Sequence, residues 1–248
     1  CLNKTISNYI LSDHVIDINS IERYSYLDKI NIYDKITNLF VYNIPFAFEH
    51  RKYIENTKTT LSPNITHIRY NDCSTSIIGR QDVYFLDLLH SNIEHITFGY
   101  VFNRAIESMP DSIVSIELNG MFSENIYNYP KNLLRIKYGR SFNKPINNLP
   151  DSVCYIDLEE TQFEHPINKY PKKLKSIYFP TYYPHKIKNL ADSIKKICIP
   201  EWCITCSIFS TDIIYLKIYN NFVDIFEDIF YTSILPKTLE FLTLGYRF

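Results

Sequence analysis

Glycine is scarce in this chain, with five among 248 residues against a usual share of roughly 7%. Gly79, Gly99, Gly120, Gly139 and Gly245 stand too far apart to share a motif. This excludes the G-x-G-x-x-G and G-x-x-x-x-G-K-[ST] phosphate cradles and the G-x-S-x-G nucleophile elbow. Long apolar runs are missing too. The most apolar stretch, residues 222–235, is broken by Asp224, Glu227 and Asp228, so no membrane span of roughly 18 residues is expected. Charge of one sign is absent, with Lys+Arg 26 against Asp+Glu 27 and a net charge of -1. That balance argues against a nucleic-acid binder held by bulk positive charge and against a disordered chain.

Recognisable catalytic constellations are lacking as well. The seven histidines form no H-E-x-x-H motif, and no Ser, His and Asp set stands out from arbitrary combinations. Six cysteines show no regular disulfide framework, and no charged leader precedes an apolar segment. Reduced thiols and a cytoplasmic location are therefore expected. Trp202-Cys203-Ile204-Thr205-Cys206 contains W-C-x-x-C, but redox chemistry needs the first Cys at a helix N-terminus in a βαβ unit. Here the motif falls in the return half of a repeat, where packing is the simpler role. A zinc site from Cys198, Cys203 and Cys206 would need a fourth ligand, with His185 one repeat away. The expectation is no enzyme, no cofactor and no metal.

What the chain has is a repeat. Ile93-Glu94-His95-Ile96-Thr97-Phe98, Ile113-Val114-Ser115-Ile116-Glu117-Leu118 and Leu133-Leu134-Arg135-Ile136-Lys137-Tyr138 share the pattern apolar-x-x-apolar-x-apolar. Copies starting at Val153, Leu174 and Ile194 continue it at a period of 20 or 21, and weaker ones start at Ile65, Ile213 and Leu239. Each clear copy has a second half, such as Phe142-Asn143-Lys144-Pro145-Ile146 leading to Leu149-Pro150. Gly99, Gly139 and Gly245 directly follow their segments, where a tight corner suits a residue without Cβ.

The segment reads as a strand whose first, fourth and sixth residues point inward. A period near 20 leaves too few residues for a strand, two corners and a return helix, since helices average about 11 residues. The regular Pro also blocks helix and sheet pairing at its position. The fold class expected is mostly β: a right-handed, leucine-rich-like solenoid with one parallel sheet and an extended or 3₁₀ return side. No coil buries its apolar face alone, so stacking stabilises the array.

Phe142-Asn143-Lys144-Pro145-Ile146-Asn147-Asn148-Leu149-Pro150-Asp151-Ser152-Val153 resembles the FNIP repeat, a short leucine-rich-like repeat of social amoebae and of giant DNA viruses of amoebae. Residues 102–110 and 163–171 match less fully, with Ala105 in place of Pro and Glu164 in place of Asn. Residues 183–187 depart further, and 202–209 keep almost nothing of the motif. In many viral relatives an F-box, which docks on the Skp1 adaptor of cullin ubiquitin ligases, precedes the repeats. The resemblance thus implies substrate recognition for such a ligase in the host-cell cytoplasm. The F-box would lie before Cys1, since no complete one fits in residues 1–35. A structural role, as a virion component or a self-assembling array, is the alternative.

Residues 1–60 lack the repeat and read as a partly helical N-terminal cap. Residues 61–248 read as the solenoid, clearest over 90–199, with an insertion at 219–236. Residues 81–90 read as a further short helix. If the strand positions between inward residues share one side, that face carries Glu94, His95, Glu117, Leu134, Arg135, Lys137, Tyr155, Asp157, Lys175, Tyr178, Lys195, Lys196, Tyr215 and Lys217. Cys198 belongs to the same outward set. Tyr and Arg are residue types that anchor protein interfaces, so an unidentified protein partner is expected there.

Overall fold

The computed structural model describes residues 15–18, 38–42, 63–71, 89, 91–188, 190–203, 212–219 and 235–245, with backbone alone for 15–18, 38–42 and 71. Eleven strands form one sheet in sequence order: β1 (Val15–Ile18), β2 (Asn38–Tyr42), β3 (His67–Asn71), β4 (His95–Phe98), β5 (Ser115–Leu118) and β6 (Arg135–Lys137) lead to β7 (Tyr155–Asp157), β8 (Ser176–Tyr178), β9 (Lys196–Pro200), β10 (Tyr215–Tyr219) and β11 (Phe241–Leu244). Every pairing is parallel, so the chain returns to the same end of the sheet after each strand. This is a parallel β-solenoid. Among the described residues the helical content is one 3₁₀ turn, Glu201–Cys203. The helical part expected within residues 1–60, the helix expected at 81–90 and the insertion at 219–236 lie almost wholly outside the described residues.

Register fixes which side chains meet. Ile68, Ile96, Ile116, Ile136, Ile156, Ile177, Ile197, Leu216 and Leu242 pair one above the next from β3 to β11. All but Leu242 are buried. The first and sixth positions of the copies before β11 form two more buried columns, through Ile93, Ile113 and Leu133 and through Phe98, Leu118 and Tyr138.

The return side contributes a ladder of rings. Phe102, Phe122, Phe142, Phe163 and Tyr183 stack at centroid separations of 5.9, 6.1, 6.3 and 6.0 Å, with planes within 8° of parallel. Coils repeat at about 4.8 Å in the hydrogen-bonding direction, so the rings are offset, as their quadrupoles prefer. Tyr138 lies 4.0 Å from Phe142 and Phe98 lies 4.3 Å from Phe102, tying strand column to ladder. Ile106, Ile126, Ile146, Ile167 and Ile187 complete the core.

Both corners are tight turns. The carbonyls of Pro110, Pro130, Pro150 and Pro171 each accept the N–H three residues on, at 3.1 Å. A proline there loses nothing, because only its carbonyl is used. At the other corner Gly139 accepts from Phe142 at 3.0 Å. Gly99 occupies the same corner two copies earlier, its carbonyl accepting from Phe102 at 3.3 Å. Among the described residues only Gly120 has positive φ, at 49°. Gly139 matters through crowding: a Cβ there would lie 2.4 Å from the carbonyl carbon of Asn119 in the preceding coil.

Between coils, polar side chains join backbones that no strand pairing reaches. Ser112, Ser152, Ser193 and Thr238 donate to the carbonyls of Ile93, Leu133, Leu174 and Ile213, one coil back, at 2.6–2.9 Å. Asn103 and Asn143 accept the N–H groups of Ser123 and Glu164, one coil on, at 2.8 and 3.0 Å. Buried or crowded backbone groups need such partners. The Asn that follows the ladder Phe is thus a stitch between coils.

Candidate functional site: the outer face of the sheet

Two consecutive residues in each copy point outward, and the backbone shows how. The N–H groups of Val114 and Ser115 converge on the carbonyl of Glu94, those of Leu134 and Arg135 on Val114, and those of Lys195 and Lys196 on Lys175. This shared acceptor turns both residues away from the core before alternation resumes. Three outward columns result. The first runs through Glu94, Val114, Leu134, Cys154, Lys175, Lys195 and Ile214. The second runs His67, His95, Ser115, Arg135, Tyr155, Ser176, Lys196, Tyr215 and Phe241 in register. The third runs Arg69, Thr97, Glu117, Lys137, Asp157, Tyr178, Cys198 and Lys217. The structure therefore brings all fourteen sequence-derived candidates to one face.

The third column compensates its own charge. Lys137 stands between Glu117 and Asp157 in adjacent strands. Lys217 reaches Glu159, on the corner after β7, with an Nζ–Oε1 distance of 2.7 Å, and both side chains are about one-third exposed. Burial works against both charges, but their hydrogen bond and mutual attraction prevail. Glu159 is held below the usual carboxylate range and Lys217 above the usual amine range. The Lys217 ammonium also lies 5.0 Å from the centre of the Tyr219 ring.

Cys198 corrects the sequence reading. Its column faces outward, yet it is fully buried, because Glu159, Lys217 and Tyr219 gather over it. Burial pushes its thiol up to about 12. Cys203 lies on the opposite side of the sheet, where it fills the ladder position after Tyr183 and its thiol approaches the Tyr183 carbonyl at 3.4 Å. Burial pushes this thiol, too, up to about 12, the reverse of what a redox Cys requires. His185 meets the Glu164 carbonyl through Nε2 at 2.7 Å, and Cys206 lies outside the described residues. Cys198 and Cys203, separated by the sheet, do not form a common site, and among the described residues no group of three His, Cys, Asp or Glu side chains is placed to hold a metal ion.

The second column carries the distinctive chemistry. The Arg135 guanidinium sits 4.4 Å from the centre of the Tyr155 ring. Tyr155 donates to Asp157 Oδ2 at 3.2 Å and leans on Tyr178 at 5.4 Å. Tyr215 meets Phe241 at 6.5 Å. Leu134 and Phe241 are exposed. On the other side of the solenoid, a shallow cleft of about 360 Å³ is lined by Tyr127, Phe142, Lys144 and Pro145. Its floor is structural: the Tyr129 hydroxyl there meets that of Tyr138 at 2.9 Å.

At the start of the column the rings of His67 and His95 stack at 4.1 Å. Burial, then the neighbouring His67, depress the pKa of His95. Glu94 partly opposes them, and Arg135 adds to the depression. The folded protein therefore resists protonating His95 below pH 6.5, where the unfolded chain accepts the proton readily. Stability present above pH 6.5 should fall as the pH drops through and below it. Glu201, whose pKa burial raises, acts in the opposite sense. The check is urea unfolding at pH 7.5 and 5.5: His95→Gln should show a smaller acid loss than the parent, and an equal loss would contradict the assignment.

No protein-family model matches the chain, and no curated protein matches it either. Its class rests on its own geometry, a parallel β-solenoid of short coils.

Proposed function

We propose that this protein is a non-enzymatic scaffold that binds another protein on the outer face of its sheet. The observation that carries this is the patch formed across the three columns by Leu134, Arg135, Tyr155, Tyr178 and Tyr215, which sets interface-type side chains on a packed array. Side chains already ordered lose little entropy on binding. Several adjacent coils supply an area on the order of the 800 Å² per partner of a standard interface.

The finer reading is that the coils are of the FNIP type and that the chain recognises substrates for an F-box ubiquitin ligase in the cytoplasm of an infected amoeba. Its support is the Phe-Asn-x-Pro-Ile motif at 142–146, kept in part at 102–106, 122–126 and 163–167 with the same spacing. Docking on the Skp1–cullin machinery would fall to an F-box N-terminal to these coils. The rival is self-assembly, favoured by Leu242, which is exposed on β11 where its in-register equivalents from Ile68 to Leu216 are buried, and by the exposed Phe241 beside it.

Two measurements separate these. Light scattering after size exclusion should give a monomer at all concentrations, whereas concentration-dependent polymers would favour assembly. Affinity capture from amoebal lysate should lose its specific partners when Arg135 and Lys137 are both reversed to Glu. Capture of the same proteins by both forms would remove this face as the contact.

A further inference from the structure

The charges that look alike in sequence are not equivalent on the folded face. In the third column Lys137 is flanked by acids and Lys217 is paired with Glu159. In the first two columns the situation differs. Of the eight positions that β6–β9 contribute there, four are Arg or Lys and none is Asp or Glu. Lys195 meets Asp212 at 3.3 Å, an exposed pair. Arg135, Lys175 and Lys196 are exposed, and no ion pair of theirs occurs among the described residues. Leu134 and Tyr155 lie among them.

From this we infer that the cation-rich strip from Arg135 to Lys196 is the docking site for an extended acidic segment of a partner protein, running across the strands. The inference rests on the sheet-face reading above and narrows it to one chemistry and one half of that face. Three strand spacings separate the rows of Arg135 and Lys196, roughly 14 Å. An extended peptide covers that with about four residues at roughly 3.3 Å each. A segment of that length can then place carboxylates toward Arg135, Lys175 and Lys196, and an apolar group toward Leu134.

A nucleic acid fits less well. The strip holds few cations, the chain as a whole carries a net charge of -1, and Arg135 already covers the Tyr155 ring, where a base would stack. Complementary charge on an exposed rim chiefly sets association rate and specificity, which suits recognition of a short segment.

The test uses the purified chain and a fluorescein-labelled peptide, Asp-Glu-Leu-Glu-Asp-Phe-Glu-Asp, read by anisotropy. The Asn/Gln counterpart of that peptide and an oligothymidylate of equal charge are the comparison probes. The acidic peptide should bind, and the amide peptide should not. Lys175→Glu combined with Lys196→Glu should weaken binding on the order of tenfold, since two exposed attractions become repulsions. Lys144→Glu, on the return side, should change nothing. Both variants should keep the parent's far-UV circular dichroism and melting temperature, so that a loss reports the surface rather than the fold.

Absent peptide binding, equal binding by the double variant, or tighter binding of the oligothymidylate would each overturn the inference. If any of these occurs while lysate capture still responds to reversing Arg135 and Lys137, the acidic partner alone is ruled out. If capture is insensitive as well, the sheet-face reading fails with it.

Discussion

Ile136→Asp should abolish the cooperative unfolding transition of the coils around it. Ile136 has no exposed surface and stands in register between Ile116 and Ile156, so no rotamer brings a carboxylate at this site to water. An unpaired charge in such a core belongs to the rare class of substitutions costing more than about 4–5 kcal/mol. In a stacked array each coil is stabilised by its neighbours, so the loss should spread to both sides. Far-UV circular dichroism should show diminished sheet signal before any heating. Lys195→Glu is the matched control, breaking only an exposed pair with Asp212 worth at most about 1 kcal/mol. Equal damage from both would mean that the inward and outward assignments are wrong.

Phe142→Ala should destabilise the array strongly from its middle. Its ring touches three others, Phe122, Phe163 and Tyr138, and removing a buried Phe costs about 3–5 kcal/mol. Trp202, the single tryptophan, lies three coils away, with its indole N–H on the Tyr183 carbonyl at 2.7 Å. If the ladder transmits the defect, Trp202 fluorescence should shift at the same lowered urea concentration as the dichroism. Two separate midpoints, with Trp202 unfolding as in the parent, would show that the ladder is not continuous between Phe142 and Tyr183.

The inward columns were legible because spacing alone sets them. Apolar residues at the first, fourth and sixth positions of a copy recur every 20 or 21 residues, and only a coil of that length lays them over one another. Proline position likewise marked the corner. Less legible were features that depend on how one coil meets the next. Asn143 reads as a surface residue until its carboxamide is seen accepting the N–H of Glu164. Gly120, one position later in its copy than Gly139, is set apart by a positive φ that its sequence does not announce. Even the degraded copy at Trp202 keeps the ladder's place, with Cys203 standing for a ring. A small buried side chain satisfies that position because what is required there is occupancy and dryness.

The candidate face divided in the same way. That Arg135, Lys137, Lys175 and Lys217 share one side follows from the period. Which of them carry free charge does not, because Glu159 and Lys217 lie 58 residues apart and their meeting depends on side chains lying across intervening strands. The covering of Cys198 has the same origin.

That long reach has a mechanical consequence. Stacked coils joined only to adjacent coils would peel one at a time when tension is applied at the end of the chain. Lys217 on β10 grips the corner behind β7, so a pull on β10 is shared by the strands lying between them. Such a tie, worth on the order of 1 kcal/mol, adds a second attachment for β10 beyond its neighbours β9 and β11.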